Sequence, residues 1–344
     1  MTARRRQIVI GLAALAVAAL APLPFNNLVI ANVSAVTVLY AFGILSVVIL
    51  TGYVGQVSLC QATFMGISAF TVGALVNSGV NYFAAAVVGV LAAFVLGVLV
   101  GIPALRLRGI LLAIVTVGVA LSFDYYFYQD QVFAWFNGGL SGWHIGATNM
   151  LGVELNNFDP PNMLHVYWLL LVVFAIVAVL IYNIHDSGSG RRFRAIRESE
   201  IAAATMGVNL TQYKLLAFGL AAAVAGVGGA FFPLVEGTVT NQPFSFFVSL
   251  QFAAIAVLVG IRFIPAAFLG GVFMSAFPEA LKHAQDVVHV EIPFVWFNVA
   301  LGLLLIVQMI QFPDGIYGHN ARLVEHLAQR FAKPKALATE VQRP

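Results

Sequence analysis

Charge is what this chain has least of. Asp, Glu, Lys and Arg make up 9% of its 344 residues, against 61% hydrophobic ones. Soluble domains carry about 25% charged residues. So low a fraction leaves too little polar surface to cover a water-soluble core, which excludes an ordinary soluble protein. Cysteine is scarcer still. The single Cys60 excludes an intrachain disulfide and a zinc cluster, and it lies in an apolar stretch with nothing nearby to mark it as a nucleophile. No Gly-Lys dipeptide occurs, so a phosphate-binding loop of the GxxxxGK[ST] kind is excluded. The seven His form no HExxH pattern and no paired metal spacing. No Ser, His and Asp grouping stands out, and the net charge of +3 gives no reason to expect nucleic acid.

What is present is a series of apolar runs near the length that crosses a bilayer, about 20 residues. They are too long and continuous for the alternating strands of an outer-membrane barrel. The reading is an all-α polytopic membrane protein of about ten spans. Arg4, Arg5 and Arg6 precede the first run, 8–23. Ala19-Leu20-Ala21 resembles a signal cleavage site, but Pro22 would follow the cut directly, so the run reads as a retained helix. The other spans are 31–50, 61–76, 83–101, 109–128, 164–183, 215–235, 246–261, 264–281 and 294–310. The segment 61–76 is short and contains Gly66 and Gly73; it reads either as a full crossing or as a re-entrant helix. With both termini in the cytoplasm, all of the 17 Lys and Arg except Lys282 fall inside. Residues 1–320 then form one transmembrane domain with a cytoplasmic loop at 187–214 and an outer loop at 129–163, followed by a polar tail at 321–344. The outer loop reads as irregular, from Asn137-Gly138-Gly139 and Asp159-Pro160-Pro161.

The 187–214 loop concentrates Arg191, Arg192, Arg194, Arg197, Glu198, Glu200 and Lys214 between two apolar runs. Gly188 and Gly190 break the preceding span, and 191–198 gives a short basic helix. Ser199 is placed to cap a second short helix, with Glu200 in its first turn and Gly207 as its stop. Asn209 or Thr211 then caps the next span. Phe193, Ile196 and Ile201 read as an apolar contact surface. Charge alone makes this an ordinary basic inside loop; the helix-break-helix pattern with small Ala202, Ala203 and Ala204 suits docking into a groove.

A second stretch runs from Gly52 through Gly55, Gln56 and Ser58 to Gln61. Polar side chains at membrane depth are costly unless they line protein or water, and glycines there permit broken helices. It reads as part of a translocation pathway or as a plain turn. Thr116, Asp124 and Glu279 are further pathway candidates. Asp124 lies well inside a span, where an acid is a functional-site candidate by default; its other reading is an interfacial acid beside Tyr125 and Tyr126. Gly226, Gly228 and Gly229, with Ala221, Ala222, Ala223 and Ala225, make a smooth helix face for close packing.

The segments GYVGQVSLCQATFMGISAF (52–70), PALRLRGILLAIVTV (103–117), GRRFRAIRESEIAAATMGVNLTQYKLLAFGLAAAVAGVGGAF (190–231) and FPDGIYG (312–318) resemble the permease of a branched-chain amino-acid ABC importer, the longer of that system's two permease types. The family commonly has a small residue and His where this chain has Cys60-Gln61. It often has a GGLGS-like stretch where this chain has Val259-Gly260-Ile261-Arg262-Phe263-Ile264, and often Glu at Asp124. In the outer loop Phe136-Asn137-Gly138-Gly139-Leu140-Ser141 replaces Thr-Gly-Gly-Pro-Asn-Gly. The resemblance implies a bacterial inner-membrane permease with no catalytic activity and no cofactor of its own. Its implied partners are a second homologous permease, two cytoplasmic ATPases that bind ATP and Mg, and an extracytoplasmic substrate-binding protein. Arg191, Arg194, Arg197, Glu198, Glu200, Ala202, Ala203 and Gly207 would belong to the ATPase-docking loop. Import of another small solute (urea, an amide, an aromatic carboxylate), a passive channel subunit, and a membrane enzyme using Asp124 and Glu279 are the competing expectations.

Overall fold

A computed structural model describes residues 28–288, apart from 108, 130, 147, 151, 152, 156–159 and 262, together with 299, 302, 303, 306 and 307. The first run at 8–23, Arg262, most of 294–310, the FPDGIYG segment and the tail lie outside the described residues. In lipid, backbone N–H and C=O groups must be satisfied within the chain, and the apolar runs accordingly form helices. They are α1 (Leu28–Val47, extended by a π-helical turn Val48–Tyr53), α2 (Gln61–Asn77), α3 (Tyr82–Ala104) and α4 (Ile110–Ser122, extended by a π-helical turn Phe123–Phe127). After them come α5 (Pro160–Asp186), the short pair α6 (Gly188–Glu198) and α7 (Glu200–Thr205), then α8 (Leu210–Glu236), α9 (Phe246–Val259) and α10 (Ile264–Val288). Five of the helical runs are by themselves long and apolar enough to cross a membrane: those of α1, α3, α4, α5 and α8.

The bundle has two distinct ends. At the basic end the 187–214 loop, the end of α3 at Ala104 and the 52–56 turn meet. At the far end the Asn77 side chain donates to the His144 carbonyl, 3.4 Å away. α2 and the segment before it connect the two ends, because Gln56 bonds to Glu200 while Gly73 abuts Trp143. The 61–76 segment therefore does not double back as a re-entrant helix. It is the helical part of a run from one end of the bundle toward the other, and 55–60 before it forms no regular element.

Burial separates centre from rim. The apolar windows of α1 and α8 are 78% and 72% buried, against 33% for α3, 22% for α4 and 33% for α5. The predicted smooth face of α8 is what allows this. A Cβ on Gly229 would collide with the Met65 carbonyl, and one on Gly226 with Ala93, so α2 and α3 pack almost backbone to backbone on α8. The rim shows the opposite chemistry. Phe83, Val87, Leu91, Val95, Leu99 and Ile102 form one exposed stripe on α3, while Thr37, Ser46, Gln61, Ser68, Thr116, Lys214 and Ser249 are buried. Apolar outside and polar inside is the arrangement a lipid solvent selects.

The outer loop is more ordered than its turn chemistry suggests. Strand β1 (Trp143–His144) pairs antiparallel with β4 (Thr238–Val239), and β2 (Thr148–Met150) pairs with β3 (Val153–Leu155). α5 starts within that loop, at Pro160, where a proline's missing N–H costs nothing.

Candidate functional site

The basic loop folds as its capping residues dictate. Ser187 caps α6 by accepting from the Ser189 N–H, and Ser199 caps α7 by accepting from the Ala202 N–H. Gly207, at φ +81°, ends α7: its N–H donates to the Ala204 carbonyl and the Val208 N–H to the Ala203 carbonyl, both at 3.0 Å. That paired closure is a Schellman stop, and it favours glycine. Of the two candidate caps for α8, Asn209 performs the role, accepting from the Gln212 N–H.

The loop divides into an outward and an inward set. Arg191, Glu198, Ala202 and Gly207 are exposed, as are Ile201 and Met206. Arg194 is exposed too, with its guanidinium against His185. Phe193 and Ile196, expected on a contact surface, are buried against the bundle instead. Their three-residue spacing puts them on the bundle-facing side of α6, so the apolar surface reduces to Ile201 and Met206. Arg197, Glu200 and Ala203 also turn inward.

The inward set makes a buried polar latch. The Lys214 ammonium lies 2.8 Å from Glu200 Oε1, with the side chains 1% and 10% exposed. It also donates to the Ala104 carbonyl at the end of α3, 3.3 Å away. Gln56 Nε2 donates to the same Glu200 oxygen at 3.1 Å. The Arg197 guanidinium donates to the Gly52 carbonyl at 2.6 Å, and Gly55, at φ +75°, brings the turn against Arg197. Loop, 52–56 turn, α3 and α8 thus share one charged centre. Lys214 was not among the residues singled out from sequence for a role. Its signal is a lone cation immediately before the apolar run 215–235.

Above the latch the remaining candidates spread along the bundle. The Leu59 N–H donates to Thr116 Oγ1 and the Ala62 N–H to Ser249 Oγ, both at 3.0 Å. Ser58 pairs with Cys60 at 3.2 Å. Asp124 is 7% exposed; its carboxylate accepts from Gln129 Nε2 at 2.9 Å and from the Phe246 N–H at 3.1 Å. It closes the N-terminus of α9. Glu279 stands apart, in a surface groove with Val29, Val33 and His283, paired with Lys282 at 3.1 Å. Gln56, Ser58, Gln61 and Thr116 therefore form one continuous seam, with Asp124 above it and Glu279 elsewhere. Among the described residues no cluster of three His, Cys, Asp or Glu could hold a metal.

A family described as the permease component of branched-chain amino acid transport systems matches residues 29–309. The chain belongs to that family. It is 28% identical to the high-affinity branched-chain amino acid transport system permease protein LivM of Salmonella typhimurium, over 83% of this chain and 69% of that one. The Escherichia coli LivM gives the same identity and coverage. The permease protein LivH of Salmonella typhimurium is 29% identical over 53% of this chain and 54% of its own. An autoinducer 2 import system permease, LsrC of an Enterobacter, is 28% identical over 73% of this chain and 69% of that one. No solved structure matches. The permease is a multi-pass membrane protein of the transport class.

Proposed function

We propose that the chain is the permease subunit of an ATP-driven importer of branched-chain amino acids in a bacterial inner membrane. A second homologous permease, two cytoplasmic ATPases and an extracytoplasmic binding protein complete the machine. The likeness to both LivM and LivH supports a pair of related permeases. The positive-inside pattern puts the basic end in the cytoplasm. There Arg191, Arg194, Glu198, Ala202 and Gly207 offer an ATPase a charged, exposed surface around Ile201 and Met206.

One observation carries the mechanism: the loop holds the start of the α2 crossing directly, through Glu200 to Gln56 and Arg197 to Gly52. A partner that binds the loop differently in two states shifts the 52–56 turn by that difference in affinity. Gln56, Ser58, Gln61 and Thr116 are the pathway segment such a shift would open, with Asp124 fixing the helix opposite.

Uptake of radiolabelled leucine in cells lacking the chain, and in cells carrying it again, tests the reading. Restored uptake, reduced by unlabelled isoleucine and valine, is the expected result. Unchanged leucine uptake alongside lost urea uptake would sink it in favour of another solute. Uptake that persists without ATP hydrolysis would favour a passive channel.

A further inference from the structure

Two short helices of the bundle start against polar side chains of other elements. α9 has 14 residues, and its N-terminus is closed by the Asp124 carboxylate. α2 begins beside Thr116 and Ser249; Thr116 lies roughly six residues, or about 9 Å, along α4 from its basic end. Among the described residues no carboxylate bonds to this second N-terminus, where Thr116 and Ser249 stand instead. Its N-cap residue is Cys60, which makes no side-chain capping bond.

The first residue of α2 is Gln61. It is 0% exposed, and neither its Nε2 nor its Oε1 has a hydrogen-bond partner; Thr63 Oγ1 in the same turn has none either. Buried amides are normally paired, so a buried one with both atoms unpaired needs a reason. Helical side chains lean toward the N-terminus of their helix. Gln61 is the first residue of α2, at the end where the first-turn N–H groups carry partial positive charge. Donors at a helix start inside a membrane bundle suit an anionic group.

We propose that the start of α2, with the Gln61 amide as donor, receives the carboxylate of the transported solute when the bundle opens. The inference rests on the import reading above and adds the chemistry of the contact. As it stands the Gln61 amide is fully buried without a partner, while the neighbouring Ala62 N–H is taken by Ser249. The α9 start shows the same chemistry already satisfied by the protein's own acid.

The test uses the whole transporter, with both permeases, the ATPases and the binding protein, in proteoliposomes supplied with labelled leucine. Gln61→Leu is expected to lower uptake about tenfold or more while thermal stability holds or rises, since an unpaired buried amide is removed. Gln61→Glu, which places a negative charge there, lowers it further. Gln61→His keeps a donor and stays within about threefold of the original. Cys60, adjacent and buried, gives a second readout. During ATP turnover an anionic methanethiosulfonate should label it faster, relative to a cationic one, in the original chain than in Gln61→Leu. Three results overturn the proposal alone while leucine import by the original chain stands: undiminished uptake by Gln61→Leu, equal loss in Leu and His variants, or a Cys60 that stays unlabelled during turnover. If the original chain carries only a solute without a carboxylate, both readings fall.

Discussion

The starts of α2 and α9 are built on one plan and finished differently. α2 follows an irregular leader and α9 follows the 3-10 turn Gln242–Phe244, and each is pinned by charge. The α9 start is pinned at its own N–H by Asp124. The α2 leader is pinned further back, where Arg197 holds Gly52 and Glu200 holds Gln56. The difference teaches where movement is permitted. α9 is locked at the helix end itself. α2 is held by a loop that a partner can reach, and at its helix end the Gln61 amide is left without a partner.

The largest blow to that arrangement should come from Lys214→Met. It leaves Glu200 buried without its cation, and breaking a buried pair costs about 3–5 kcal/mol. The expected result is a strong loss of folded protein, or a large drop in the unfolding midpoint in detergent. Adding Glu200→Gln should restore much of the stability while leucine uptake stays low, because an apolar and amide pair packs but no longer ties the turn to the loop by charge. Full uptake by the double variant would show that the latch is packing only.

Asp124→Ala attacks the other start. It removes two bonds to a charged acceptor, each worth about 1.5–3 kcal/mol. Asp124→Asn keeps one acceptor oxygen and should fall between the two. If uptake drops with Asp124→Asn while stability holds, the acid has a role in transport beyond capping α9.

Ser249→Ala loosens the contact between the two helices. The Ala62 N–H loses its acceptor, at a cost of about 1–3 kcal/mol for a buried donor left unpaired. Ser249→Thr should retain most of it. Equal stability of all three would mean that the two starts are not mechanically joined.

The existence of both helices could be read from the chain, but the way they are finished could not. Apolar runs predict 61–76 and 246–261, and the structure has Gln61–Asn77 and Phe246–Val259. Ser199, Gly207 and Asn209 act as their residue types predict, because capping is local chemistry. Charge placed the 187–214 loop at one end but said nothing about direction. Arg194 faces outward and Arg197 inward because the apolar Phe193 and Ile196 orient α6, and that amphipathic spacing was the available clue. Asp124 was legible as a special residue, whereas its partner, a backbone N–H at Phe246, leaves no mark in sequence. The strands of the outer loop have two or three residues each, too few for alternation to register.

The smallest effect should come from Thr116→Val, and it isolates the leader of α2 most cleanly. Val keeps the shape of Thr, so packing against Leu59 is preserved and only the hydroxyl is lost. That hydroxyl does two things: it accepts from the Leu59 N–H at 3.0 Å and donates to the Ala113 carbonyl at 2.9 Å. Ala113 still has its helix bond, so the second loss is minor. The first leaves a part-buried backbone donor without a partner, for about 1 kcal/mol, or roughly 1–2 °C in the unfolding midpoint for a chain of this size. Thr116→Ser keeps the acceptor and should restore amide protection at Leu59, measured by hydrogen exchange. If Val and Ser variants exchange alike, the leader is held by the latch alone, and the α2 start is freer to move than the α9 start by more than one hydrogen bond.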